Sequence, residues 1–329
     1  TIGLSMQLYD QSEGEVRFGR CCTLDDLHDA RRVAGRLGLP HYVVNFESQF
    51  HRQVVENFVG EYVSGRTPIP CTRCNSEVKF AALLDRVRGL DAAFLATGHY
   101  VQVAFEEATR RYLLRRGRDT ARDQSYFLFS LTQAQLARAR FPVGHLTKPE
   151  VRAIARARGL PVADKPDSQE ICFVPPGRHA AFVERHAADR KPAAGVIADE
   201  QGRPLGRHDG VHRFTVGQRK GLGLATGVPL YVVAIDAAAN EVIVGPRDAL
   251  GRATLTAASV NWISGTVPSG SIGAHVQIRH RHPPASACVT PIGAMRVRVD
   301  FDEPQSAVAP GQAAVFYADD MVLGGGWIE

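Results

Sequence analysis

The sequence predicts an α/β protein: a parallel-sheet domain with helices on its faces, followed by smaller β-rich modules. Two observations carry this. Short apolar strands alternate with amphipathic helices in the first third of the chain, the pattern that builds parallel sheets. From about Ala194 the texture changes to β-branched runs separated by glycine turns, which reads as one or two small barrel-like units.

The elements follow in order. Thr1–Leu8 reads as a buried strand. Thr23-Leu24-Asp25-Asp26 reads as a helix start with acidic residues where the helix dipole favours them. Leu24, Leu27, Ala30, Ala34 and Leu37 then recur at helical spacing, until Gly38 and Pro40 end the run. His41–Phe46 is a second strand and Phe50–Val63 a second helix. A third helix is expected over Ser76–Arg88, with Val78, Phe80, Leu83, Leu84 and Val87 on its apolar face, and a third strand over Ala92–Thr97. Tyr100–Arg116 reads as a basic hairpin, and Gln124–Ala139 and Thr147–Arg158 as helical. Thr147-Lys148-Pro149-Glu150 has the capping-box spacing. In open parallel sheets ligands sit at the carboxyl ends of strands. That points to Met6, Asn45 and Gly98-His99.

The 329 residues suffice for two or three domains. No run of about 18 apolar residues is present, so no transmembrane helix is expected, and no signal-peptide pattern is seen. Six cysteines (Cys21, Cys22, Cys71, Cys74, Cys172 and Cys288) are too sparse for a disulfide scaffold; a reducing, cytoplasmic setting is expected. The formal charge is +5, and the 39 basic residues are 34 Arg and 5 Lys. An arginine excess suits phosphate and nucleic-acid contact, although runs such as Arg115-Arg116-Gly117-Arg118 and Arg279-His280-Arg281-His282 also fit a solvated face.

The stretch Gly65–Asn75, "GRTPIPCTRCN", carries the sharpest chemical signal. A zinc site would need a second cysteine pair, and none exists. A dithiol redox motif would follow a strand directly, whereas this pair follows a proline-stiffened loop. The remaining reading is a single working thiol. Cys74 is expected just before a helix, where backbone dipoles and Arg73 would favour its thiolate. A buried, inert cysteine is the plainer alternative. Cys172, in "KPDSQEICFV", is expected where a polar loop meets a strand edge.

These residues resemble a known family, the tRNA-specific 2-thiouridylases. The resemblance covers essentially the whole chain. It rests on "GRTPIPCTRCNSEVKF" (Gly65–Phe80), "ATGHY" (Ala96–Tyr100), "RDQSYFL" (Arg122–Leu128) and "FPVGHLTKPEVR" (Phe141–Arg152). It continues through "DSQEICFV" (Asp167–Val174), "FTVGQRKGLGL" (Phe214–Leu224), "PGQAAVFY" (Pro310–Tyr317) and "LGGGWI" (Leu323–Ile328).

The resemblance implies a pyrophosphatase-loop, adenine nucleotide alpha hydrolase-like domain, a small central domain and a C-terminal β-barrel. The expected boundaries are 1–190, 191–249 and 250–329. It implies thiolation of the wobble uridine, position 34, in tRNAs such as those for Lys, Glu and Gln. ATP with Mg²⁺ would adenylate the C2 oxygen, and persulfide sulfur, supplied by a cysteine desulfurase or sulfur relay, would replace it. Residue by residue, Cys74 matches the family's nucleophile and Cys172 its persulfide carrier. Met6 and Gly98 match ATP contacts, and Ile69, Pro70 and Cys71 the segment meeting the target base. His99, Arg122, Asp123, Gln124, Arg279, His280 and Gln312 match tRNA contacts.

Some features depart from the family pattern. The family's first strand and its S-G-G-x-D-S phosphate loop would precede Thr1, so the chain reads as an N-terminally truncated member of reduced activity, or as a non-catalytic RNA-binding fragment. Ile69 stands where the family often has Asn, and Cys71 where some members have Asp. With Cys71 present, a [4Fe–4S] cluster held by Cys71, Cys74 and Cys172 is an alternative.

Overall fold

In a computed structural model the described residues are 1–9, 24–165, 171–175, 177–190 and 193–329. Thr23, Cys21 and Cys22 lie outside them, as do residues 166–170 of the segment leading to Cys172.

Strand β1 (Gly3–Gln7) runs parallel to β2 (His41–Asn45), with Met6 opposite Val44. Helix α1 (Leu24–Arg36) connects them; Asp25 and Asp26 lie in its first turn and Arg36 in its last, matching the helix dipole. Two longer helical runs follow. Helix α2 covers residues 47–63 and α3 residues 70–88. Each contains a π-type stretch, His51–Val55 in α2 and Cys74–Ala82 in α3. Phe50, Val54, Phe58 and Val59 of α2 and Val78 and Phe80 of α3 are fully buried in the largest core. Burial of each such side chain contributes about 2 kcal/mol.

Helix α3 begins six residues before the expected Ser76 (76 − 70). Pro70 occupies its first turn, where the fixed φ of proline suits a helix and its missing N–H costs nothing. The stiff loop of the sequence reading is therefore partly helix.

Strands β4 (Val101–Glu106) and β5 (Arg111–Arg116) form the expected hairpin, with Arg110 in the left-handed region at its turn. The third expected strand shrinks to β3 (Leu95–Ala96), whose parallel partner is β6 (Ala139–Arg140). Among the described residues the parallel sheet is thus two short ribbons, β1–β2 and β3–β6.

The expected helix over Gln124–Ala139 is mostly irregular: a 3₁₀ turn at Ser125–Phe127, then α4 (Gln133–Arg138). The reason is burial on all sides. Tyr126, Leu128, Phe129 and Leu131 are all enclosed, which a one-faced helix does not achieve. Local turns supply part of the backbone bonding, and other carbonyls are met from outside the segment. Asn261 Nδ2 donates to the carbonyls of Phe129 (2.7 Å) and Leu131 (3.0 Å), and Tyr126 Oη donates to the Ala313 carbonyl (3.0 Å). Helix α5 (Lys148–Ala157) starts as expected: Glu150 accepts the Thr147 N–H at 2.6 Å and its hydroxyl at 2.9 Å. Helix α6 (His179–His186) packs on α2.

Strands β7 (Gly195–Asp199), β8 (Pro204–His208), β9 (Tyr231–Asp236) and β10 (Glu241–Gly245) form a four-stranded sheet in the order β8-β7-β10-β9. Val232, Val242 and Val244 lie in its own small core.

The last six strands are β11 (Gly251–Trp262), β12 (Ile272–Gln277), β13 (Ala285–Gly293), β14 (Arg296–Ser306), β15 (Ala313–Ala318) and β16 (Met321–Ile328). All pairings are antiparallel in the order β11-β14-β13-β12-β15-β16, and β16 pairs back onto β11. This closes a barrel and removes its edges. One contact was invisible in the sequence: β5 pairs with β16, Leu114 opposite Val322, so the basic hairpin extends the barrel sheet.

Candidate active site

The "GRTPIPCTRCN" stretch lies where three units meet. Gly65 has φ +70°, and a Cβ there would sit 2.7 Å from Ile235 on β9. Thr67 Oγ1 donates to Thr215 Oγ1 at 3.3 Å, and the Thr67 N–H donates to the Pro310 carbonyl of the barrel at 2.8 Å. Ile69 is the N-cap of α3, and Ile69 and Pro70 are buried.

The two cysteines of the pair face different surroundings. Cys71 is exposed in the first turn of α3; Cys74 is buried, 7% exposed, and belongs to the main core cluster. Cys74 does not precede the helix. Its N–H bonds within α3 to the carbonyls of Pro70 and Cys71. The dipole effect weakens beyond the first turn, which holds Cys71 and not Cys74. Arg73, expected beside the Cys74 thiolate, rests its guanidinium over the Trp327 ring, 5.4 Å from the centroid. Cys172 is half-buried and packs against the cluster that contains Cys74. Its neighbour Phe173 meets Phe50 and Phe58 edge-on at 5.3 and 5.2 Å.

Among the described residues, no three His, Cys, Asp or Glu side chains are placed to hold a metal ion. The [4Fe–4S] alternative finds no support among the described residues, where Cys71 is exposed and Cys74 buried.

Two other predicted positions sit at strand ends. Met6 is half-buried near the end of β1, and Gly98 follows β3 with open space where a side chain would be. His99 is bonded through Nδ1 to Thr97 Oγ1 at 2.8 Å and lies among Phe80 and Phe141, with ring centroids at 6.0 and 6.1 Å. Burial first, and the Lys79 charge second, lower its pKa from 6.5 to about 3. Lys79 is oriented by Asn75 Oδ1 at 3.0 Å, while Asn75 Nδ2 donates to the Phe127 carbonyl at 3.1 Å.

A pH dependence follows from His99. Between pH about 6.5 and about 3 the folded protein holds fewer protons there than the unfolded chain. Stability is expected to fall as pH drops through that window and to be insensitive to His99 above it. His208 and His280, also lowered by burial, add in the same direction. His99→Phe should flatten part of the slope in urea unfolding followed from about pH 7 to about pH 4.5. An unchanged slope would mean His99 is not held neutral.

The predicted RNA-facing residues are tied into the scaffold. Asp123 accepts four hydrogen bonds: Arg116 Nη1 (3.0 Å), Gly117 N–H (2.9 Å), Ser125 N–H (3.1 Å) and Ser125 Oγ (2.7 Å). Arg116 also stacks on Tyr317, 3.7 Å from the ring centroid, and donates to Gln277 Oε1 at 3.2 Å. Gln277 Nε2 in turn donates to the carbonyls of Arg279 and His280 at 3.0 and 2.8 Å. Gln124 Oε1 accepts the Tyr100 N–H at 3.0 Å, and the His280 ring lies tilted against Phe127 with centroids 4.5 Å apart. The loop Arg122–Gln124 and the turn Arg279-His280 are thus brought together. Sequence reasoning missed Arg116, Gln277, Asn75, Lys79 and Thr67. The bonds from Arg116 to Gln277, Thr67 to Thr215 and Asn75 to Phe127 join distant parts of the chain, which no local pattern relates.

Comparison with known proteins agrees with this arrangement. Three family models match: a tRNA methyl transferase HUP domain over residues 1–176, a tRNA methyl transferase PRC-barrel domain over 180–246, and an aminomethyltransferase beta-barrel domain over 252–328. The tRNA-specific 2-thiouridylase MnmA of Solibacter usitatus is 54% identical over 342 positions, covering 100% of this chain and 92% of that protein. The MnmA of Geotalea uraniireducens is 53% identical, covering 100% and 88%. That of Geobacter metallireducens is 51% identical, covering 100% and 89%. With identity of this order along its whole length, and with the α/β domain, middle sheet and closed barrel in the matching order, the chain belongs to the tRNA-specific 2-thiouridylase family.

Proposed function

We propose that the protein is a tRNA sulfurtransferase that replaces the C2 oxygen of the wobble uridine, position 34, with sulfur, using ATP and a persulfide. The observation that carries the reading is the family match along the whole chain, combined with Cys74 and Cys172 packing on one cluster. The HUP-domain match supports use of ATP.

The chemistry sets the order of events. A carbonyl oxygen is a poor leaving group until it is phosphorylated. Uridine O2 attacks the α-phosphorus of ATP, pyrophosphate leaves, and the N3 proton passes to solvent. Met6 and Gly98, near the carboxyl ends of β1 and β3, border the nucleotide. The terminal sulfur of a Cys172 persulfide then attacks C2, and AMP departs with the oxygen. Cys74 thiolate attacks the inner Cys172 sulfur, closing a Cys74–Cys172 disulfide and releasing 2-thiouridine, which regains a proton at N3. An external thiol reduces the disulfide. The Cys172 sulfur is replenished by a persulfide donor protein such as a cysteine desulfurase or relay.

Ile69-Pro70-Cys71 is the segment assigned to the target base. Its first two residues are buried and the third exposed, so the base would meet a fixed backbone and one accessible thiol. Arg122, Asp123, Gln124, His99, Arg279, His280 and Gln312 are assigned to the tRNA side. In this assignment Asp123 acts by shaping the loop, since its carboxylate already accepts four protein hydrogen bonds.

The test is nucleoside mass spectrometry of tRNA for Lys, Glu or Gln after incubation with ATP and a persulfide donor. ATP-dependent 2-thiouridine at position 34, lost when that uridine is replaced by cytidine, is the expected result. tRNA binding without thiolation would favour a non-catalytic RNA-binding role.

A further inference from the structure

The segment assigned to the target base is held from behind by the C-terminal barrel, and Gln312 reaches across to its backbone. Gln312 Nε2 donates to the Thr67 carbonyl at 3.0 Å. The Gln312 backbone is fixed inside the barrel: its N–H bonds to the Ala309 carbonyl at 3.2 Å, and its carbonyl accepts the Ile328 N–H at 2.8 Å. Beside it, Gly311 has φ +88°, and a Cβ there would lie 2.9 Å from the Thr67 nitrogen and 3.0 Å from its oxygen. Only a glycine allows this approach. Arg66, paired with Glu61 at 2.7 Å, reaches the Ile328 carbonyl at 3.4 Å. Downstream, Arg73 lies over Trp327. Ile69-Pro70-Cys71 therefore hangs between two ties to the barrel, at Thr67 and at Arg73.

We propose that Gln312 is a positioning residue: its amide latches Thr67 and thereby sets where Ile69-Pro70-Cys71 stands relative to the barrel. This rests on the reading of Ile69–Cys71 as the target-base segment. The inward hydrogen bond uses one of the two Gln312 amide N–H donors on the protein's own backbone and leaves the other N–H and the carbonyl for RNA. The barrel thus serves as the back wall of the reaction site as well as a surface for RNA.

The test uses the RNA-free protein and hydrogen exchange of peptides spanning residues 65–74, with peptides from β11 as the internal reference. Gln312→Ala and Gln312→Glu both remove the donor; the second keeps the size. Each is expected to speed exchange in 65–74 about tenfold, the scale of one lost hydrogen bond, with β11 unchanged. Gln312→Lys restores a donor and should exchange within about twofold of the parent. In thiolation assays the Ala and Glu variants should lose kcat with KM for tRNA little changed. Unchanged exchange with weakened tRNA binding would make Gln312 an RNA contact only and overturn the latch. Equal acceleration by all three variants would assign the effect to packing and also overturn it. If the parent protein makes no 2-thiouridine, the reading of the reaction fails, while the exchange data still decide the latch.

Discussion

Cys74→Ser is expected to lower 2-thiouridine formation by at least about 10³-fold while tRNA affinity stays within about twofold. The serine hydroxyl is nearly isosteric, so the buried position should tolerate it. At neutral pH, however, an alcohol neither forms the anion nor attacks a sulfur–sulfur bond. Cys74 is nearly enclosed in the core cluster, an unusual place for the nucleophile proposed. Cys172 packs against the same cluster, so the partner thiol of the proposed disulfide lies on the same core. Cys71→Ser is the contrast. Cys71 is exposed and lies in the first turn of the same helix, and the proposed steps do not consume its sulfur. Its replacement should cost about tenfold or less. A Cys71→Ser loss as large as that of Cys74→Ser would exchange the roles of the two thiols.

Asp123→Ala is expected to destabilise the protein by about 3 kcal/mol, the scale for removing one partner of a buried ion pair. The Asp123 side chain is 7% exposed and that of Arg116 23%, so Arg116 would be left mostly enclosed without its counter-charge. Three further hydrogen bonds, from Gly117 and Ser125, would also be lost. Arg116 links the hairpin to Tyr317 and Gln277, so the damage should spread to the Arg279-His280 turn. Urea unfolding and tRNA binding should fall together. A variant of parental stability with tRNA affinity alone reduced would show instead that Asp123 meets RNA directly.

Periodicity made most of the regular elements readable in advance. α1, β1, β2, the β4–β5 hairpin and the α5 cap follow from local residues, and the late β strands from their glycine-punctuated runs. The failures have physical causes. The start of α3 was placed late because Pro70 and Cys71 read as loop, although proline is well suited to a first helical turn. The segment 125–131 reads as helix because an apolar run resembles one; instead it forms short turns, and Asn261, more than a hundred positions away, meets the Phe129 and Leu131 carbonyls. The same distance hid the setting of the site. The motif residues Cys74, Cys172 and Gly98 were visible as motifs. The ties that place them, from Thr67 to Pro310 and Gln312, Arg73 to Trp327, and β5 to β16, join parts of the chain that no local pattern relates.

The central claim is that the sulfur entering uridine is carried on Cys172. A single-turnover experiment tests it most directly: the protein is loaded with isotopically labelled persulfide, freed of donor, and mixed with ATP and tRNA. Label is expected to leave Cys172 and to appear in 2-thiouridine in near one-to-one amount, and Cys172→Ala protein is expected to transfer none. Label remaining on Cys172 while unlabelled 2-thiouridine forms, or undiminished thiolation by Cys172→Ala, would contradict it.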